Sequence, residues 1–336
     1  MSAARRSRAR AAPDAGRARS ARLAAVFRSV CALELAALKP GNVHRRADGH
    51  GMTLADFLRS AEASAGPLTT PGLPLGERVY RAVAATRAAV GCNTNLGILL
   101  LAGPLIQAAL ECQAPGSLRE RLVRVLAGAD RADTDALFRA IRLAAPGGLG
   151  ESAEHDVNAP AAATPVEVMT QAASRDRIAL QYATGYADLF DRAVPRLTGL
   201  QRRWRSPAWA VAGLYMELLG RFPDTHIVRK RGEPTALAVC ERAAPLAAAL
   251  LASDRPQRYR GELMALDRWL KDAGLNPGTS ADLTVASVLI DRLASVGDGA
   301  TPQAIDSSRA PAHRRRAQSP GPDAPEPDCH APQTHT

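Results

Sequence analysis

The chain has 336 residues, 46% of them hydrophobic and only 4% aromatic, with a formal charge of +10; that length can bury a sizeable core, and a composition led by Ala and Leu favours helices over strands. The charge is uneven: residues 1–22 hold seven Arg against one Asp, so +6 lies in one terminal segment and the remainder is mildly basic, which suits a phosphorylated small molecule better than a long polyanion. Five cysteines without CxxC spacing argue against a disulfide framework or zinc site and for a reducing, cytoplasmic setting, and no run reaches the roughly 18 apolar residues of a membrane span.

In chain order, residues 1–22 lack apolar periodicity and read as a disordered basic arm, with no stretch resembling a secretory signal. The folded part is expected over 23–297, a single all-α, multi-helix globular domain. A helix over 23–38 is stopped by Pro40 and Gly41. Thr53 with Asp56 caps a helix reaching about residue 63, and 75–90 forms another that ends at Gly91. Residues 96–110 are apolar on nearly every face, the mark of a central core helix. Ser117 with Glu120 forms a capping box for 118–126, and a further helix covers 134–144. After a glycine-rich loop through Glu151, Glu154, His155 and Asp156, the run Thr164-Pro165-Val166-Glu167 starts helices that reach about residue 192. Ser206-Pro207 opens a helix to 221, helices follow over 234–252, 256–273 and 280–295, and 298–336 reads as a second disordered tail.

Five polar islands punctuate this pattern, each at a helix end, where unpaired backbone groups can converge on a ligand. Gly91-Cys92-Asn93-Thr94-Asn95-Leu96-Gly97 is a glycine-bounded turn opening the buried helix; free N–H groups and the helix dipole suit a phosphate there, with helix capping as the alternative reading. Gly278-Thr279-Ser280 with Asp282 has the same logic, and Ser280 doubles as an ordinary N-cap. Asp224-Thr225-His226 precedes Arg229-Lys230-Arg231, a carboxylate with cations able to hold Mg²⁺ and phosphates, or simply a solvated basic loop. Glu151, Glu154, His155 and Asp156 suit Mg²⁺ or acid–base work better than zinc. Glu34 lies one turn before Lys39, one of only three lysines among 43 basic residues; the two face one cleft or form a surface ion pair. His50 in the Asp48-Gly49 loop is either solvated or functional. No P-loop, Rossmann fingerprint or nucleophile elbow is present.

Read in order, Glu34, Lys39-Pro40-Gly41, Gly49-His50 to Asp56-Phe57, the Gly91–Gly97 turn, Gly150-Glu151, Asp224-Thr225 with Lys230 and Gly232, and Pro277 to Asp282 resemble the triphosphoribosyl-dephospho-CoA synthase (CitG-type) family. The resemblance implies an all-helical pentosyltransferase that moves the 5-triphosphoribosyl group of ATP to the 2′-hydroxyl of 3′-dephospho-CoA and releases adenine. It places Lys39, Gly91, Asn93, Thr94, Asn95, Gly97, Lys230, Gly278 and Ser280 at the substrate phosphates and Mg²⁺ on Glu151 and Asp224. Glu34, Asp282 or His50 would orient or deprotonate the acceptor. Where citrate-lyase members carry His-Lys this chain has Asn95-Leu96, Thr279 replaces a glycine, and His226 replaces an asparagine, as in a divergent branch. A pterin-like acceptor in tetrahydromethanopterin-linked one-carbon metabolism is therefore a second reading. A helical nucleic-acid or protein-binding module working through the Arg arm is a third. On the leading reading the partners are small molecules, with no membrane or nucleic acid and room for a homodimer.

Overall fold

The computed structural model describes residues 3–146 and 156–297; among them there is no strand, only isolated bridges at His44–Ala47 and Gly49–Met52. The tail over 298–336 and the Glu151, Glu154 and His155 positions lie outside the described residues.

The chain starts with α1 (Ala3–Ala36), then α2 (Leu54–Thr69), α3 (Leu75–Val90), α4 (Leu96–Leu110), α5 (Leu118–Gly128) and α6 (Arg131–Ala144). Four starts are closed by reciprocal capping boxes: Thr53 with Asp56, Ser117 with Glu120, Asp130 with Asp133, and Thr164 with Glu167. Each satisfies two backbone donors that a helix end otherwise leaves bare. The last of them opens α7 (Pro165–Ala172), after which come α8 (Arg177–Thr184), a wide π-type turn at Leu189–Ala193, and α9 (Val194–Trp204). The second half holds α10 (Pro207–Arg221), α11 (Thr225–Arg231), α12 (Glu233–Ala252), α13 (Arg260–Asp272) and α14 (Gly278–Gly297).

Two helices form the axis of the core. α4 buries residues on every side, from Leu96 through Ala109, and α14 buries Leu283, Val285, Ala286, Val288, Leu289 and Ile290. They pack on each other, with α1 against α14, α2 between α1 and α3, and α10 against α12. Tyr182 and Tyr186 reach in beside α4, their hydroxyls donating to Leu100 O at 2.7 Å and Leu101 O at 3.0 Å, so neither phenol is buried unpaired. α12 has the length and hydropathy of a membrane span, but Ala236, Val239, Ala243, Ala247 and Leu250 are buried and the helix lies on α10.

α1 runs Ala3–Ala36, and within it Arg19 Nε donates to Ala109 O at 2.8 Å and Ser20 Oγ to Thr69 O at 2.7 Å. Two expectations change. Residues 194–204 are helical through Pro195, because proline is tolerated in a first turn, where its missing N–H has no partner to lose. Asp224-Thr225-His226 is not a loop but the start of the short helix α11.

Candidate active site

The Lys39-Pro40-Gly41 turn after α1 is held from four sides. Tyr215 Oη donates to Pro40 O at 2.6 Å, Gly41 N donates to Asp267 Oδ1 at 2.8 Å, His50 Nε2 donates to Gly41 O at 2.7 Å, and Asn42 Nδ2 donates to Asn276 Oδ1 at 2.9 Å. Gly41 has φ +80°, and a Cβ there would stand 2.7 Å from Pro277 Cδ; both the backbone angle and the close approach demand glycine. Asp267 also takes Lys271 Nζ at 3.0 Å and faces His44. Burial pushes its carboxyl up, but the facing His44 ring and the hydrogen bonds from Lys271 and Gly41 outweigh that and hold it below the usual range.

This clamped turn fixes the Lys39 side chain, fully buried, against Glu34. Lys39 Nζ bonds the Glu34 carboxylate directly and Asn42 Oδ1 at 3.0 Å. Glu34 and Asn42 line a cleft of about 700 Å³, whereas Lys39 does not reach it. Lys39 is thus the counter-ion behind a cleft carboxylate, not the phosphate ligand expected. Burial pushes Glu34 above the ordinary carboxylate range, with the Lys39 ammonium pulling it back.

The Gly91–Gly97 turn forms another wall. Gly91 closes α3 in a left-handed conformation, φ +71°, and Asn93 Oδ1 accepts from Leu96 N at 3.1 Å. Thr94 Oγ1 donates to Ser60 Oγ at 2.6 Å, and Asn95 turns inward toward Ser64. Cys92, Asn93, Thr94 and Gly97 border the cleft; Gly91 and Asn95 do not. At Gly97 a Cβ would lie 2.0 Å from Asp282 Oδ2, so α4 and the Asp282 carboxyl touch where a side chain would have stood.

Asp224 departs most from its expected role. Oδ1 accepts from His226 N at 3.0 Å and Ile227 N at 3.2 Å, and Oδ2 accepts from Ser280 N at 2.7 Å and Ser280 Oγ at 2.8 Å. One buried carboxylate caps α11 and ties it to the start of α14, which fills its acceptor positions and leaves none for a cation. Ser280 is spent in the same bond, and neither residue lines the cleft. Burial pushes the Asp224 carboxyl up, against the donors around it. Beside this joint Thr225 Oγ1 lies 3.1 Å from Thr279 Oγ1, and the His226 ring lies against Gly278, its Nδ1 2.4 Å from where a Cβ would be. His226 Nε2 is buried, with no hydrogen-bond partner among the described residues.

The cleft therefore gathers Glu34, His50, Asn93, Thr94, Gly97, Lys230, Gly278 and Asp282 of the expected residues, and leaves out Lys39, Gly91, Asn95, Asp224 and Ser280. It adds Arg175 and Arg229 as cations beside Lys230, and an apolar end built from residues outside the islands: Leu100 of α4, Phe138 and Ile141 of α6, Met169 of α7 and Ile178 of α8. Arg229 was visible in the basic run after Asp224; the apolar end had no local signal, because each of its residues sits in an ordinary helical pattern. Among the described residues no group of three or more His, Cys, Asp or Glu could hold a metal. With Asp224 committed to caps, the donors among the described residues do not build an Mg²⁺ centre of their own, and Glu151, the other expected ligand, lies outside those residues.

The family model for ATP:dephospho-CoA triphosphoribosyl transferases, CitG, matches residues 20–299. The chain belongs to this family. A crystal structure from Archaeoglobus fulgidus, provisionally described as a triphosphoribosyl-dephospho-CoA synthase, is 26% identical with a TM-score of 0.54, covering 72% of this chain and 98% of that one. No curated protein matches the sequence significantly. The CitG membership makes this chain a transferase of the triphosphoribosyl-dephospho-CoA synthase type, and ATP is a substrate of that family. The alternative readings, pterin-linked transfer and a binding module, are not favoured by these matches.

Proposed function

We propose that the cleft transfers the 5-triphosphoribosyl group of ATP to the 2′-hydroxyl of 3′-dephospho-CoA, releasing adenine. The observation that carries this is the arrangement of one cleft with a Lys-backed carboxylate, Glu34, and a cationic wall of Arg175, Arg229 and Lys230. The triphosphate lies along that wall and near the N-termini of α4 and α14, where backbone N–H groups and the helix dipoles add to the cations. Asn93 and Thr94 border the ribose side. Glu34 accepts the proton of the incoming hydroxyl: burial raises its proton affinity above that of an ordinary carboxylate, and the Lys39 bond fixes its orientation. His50 is a positioning residue on this reading, since its Nε2 is engaged with Gly41 O. The apolar end, lined by Phe138, Ile141 and Met169, receives the pantetheine arm of the acceptor.

The test is adenine release from ATP with 3′-dephospho-CoA by wild type and Glu34→Gln. A fall of about 10²- to 10⁴-fold in kcat with ATP affinity retained supports the assignment. Unchanged kcat in the variant would remove Glu34 from the chemistry.

A further inference from the structure

Breaking the bond between C1′ and N9 leaves an electron pair on adenine, which departs readily only when a proton reaches the ring. The transferase reading, on which this inference rests, therefore needs an acid as well as a base. The titratable groups of the cleft are mostly committed. Glu34 is bonded to Lys39, and His50 Nε2 to Gly41 O. Asp176 Oδ1 caps α8 through Ile178 N at 2.8 Å and Ala179 N at 3.0 Å, and its Oδ2 faces Arg229. Asp156 Oδ1 accepts from Asn158 N at 2.7 Å. His226 has a free Nε2, but burial, reinforced by Lys230, Arg229 and His50, pushes it down to about 3, so it holds no imidazolium proton to give.

Asp282 differs from all of these. Its carboxyl lines the cleft near the N-terminus of α14, no hydrogen bond to it is found among the described residues, and Oδ2 is wedged against the α4 backbone at Gly97 with Ile178 Cδ1 bordering the same spot. Three carboxylates face it, Glu34 from α1, Asp224 ahead of α11 and Asp176 ahead of α8, against the cations Arg229 and Lys39. We infer that Asp282 is the general acid that protonates the departing adenine, while Glu34 is the base. Burial first, then Asp224 and Glu34, push the Asp282 carboxyl well above its ordinary range, the direction that a proton donor requires. In the step the C1′–N9 bond breaks with its electrons going to adenine, and the Asp282 proton goes to a ring nitrogen. The acceptor oxygen bonds C1′ and its proton goes to Glu34. Solvent then returns one proton from Glu34 and supplies one to Asp282.

The experiment compares ATP with 7-methyl-ATP, whose methylated base leaves as a neutral molecule without being protonated. Both donors are assayed with 3′-dephospho-CoA in wild type, Asp282→Asn and Glu34→Gln. Asp282→Asn should lower turnover of ATP by about 10²- to 10⁴-fold and of 7-methyl-ATP by less than about tenfold, whereas Glu34→Gln should slow both donors alike. Equal losses with both donors in Asp282→Asn, or no loss with ATP, would overturn the assignment; a misfolded variant is recognised as loss of ATP binding, and Asp282→Glu, which keeps a carboxylic acid, must then retain the wild-type donor ratio. Absence of turnover of either donor by wild type overturns the transferase reading itself, separately from the acid.

Discussion

The ion pair of Glu34 and Lys39 shows how a single side chain's direction decides its role. Glu34 precedes Lys39 by five residues with the end of α1 between them, so no helical spacing rule says whether the two turn to the same side. Only the clamped backbone at Pro40 and Gly41 does, and its clamps come from Tyr215, Asp267 and His50, far away in sequence or across a loop. Lys39→Met should therefore cost about 3–5 kcal/mol of stability in urea denaturation, because it leaves a buried carboxylate without its partner. A phosphate ligand would instead raise KM for ATP at unchanged stability. Gly97→Ala places a Cβ into the Asp282 carboxyl; it should lower turnover of ATP more than that of 7-methyl-ATP, in the same sense as Asp282→Asn.

At the scale of elements, Asp224 joins α11 to α14 through four accepted hydrogen bonds. Asp224→Ala strips caps from both helices at once and should destabilise by about 2–4 kcal/mol, read as a lowered Tm, while any Mg²⁺ requirement of the residual activity stays unchanged. A shifted Mg²⁺ requirement at unchanged stability would restore the metal role expected from the motif. The same elements show what was legible in the sequence. The Ser or Thr capping boxes at Thr53, Ser117 and Thr164 announce their helices because the cap chemistry is local. The Asp130–Asp133 box was passed over, since it lacks the usual Ser/Thr and Glu pair. α11 has seven residues, too few for a periodicity to show, and α9 is hidden behind Pro195. A carboxylate beside a basic run reads as a metal site until the backbone N–H groups it serves are known.

Over the whole molecule, a helical fold follows from a chain rich in Ala and Leu and poor in aromatics, and the polar islands mark the polar walls of the cleft. The apolar end was not legible because Leu100, Phe138, Met169 and Ile178 meet only when α4, α6, α7 and α8 pack. A site that holds an unpartnered acid against the core also has a global cost. The folded-state pKa of Asp282 is raised above its unfolded value, so the stability tied to its bound proton is full below the unfolded value and is lost as pH rises through the folded one. Asp282→Asn removes that titration. Its Tm relative to wild type should climb as pH rises above the ordinary carboxylate range, a gain in stability alongside the loss in activity; a flat difference would mean that the carboxyl ionises freely in the fold.

The central claim, transfer of a triphosphoribosyl group to a 2′-hydroxyl, is tested most directly by the mass of the acceptor after incubation with ATP. The account predicts that 3′-dephospho-CoA gains a triphosphoribosyl group in step with adenine release, and that its 2′-deoxy analogue gains nothing. Adenine released while the acceptor keeps its mass, or a 2′-deoxy acceptor modified as fast as the natural one, would contradict it.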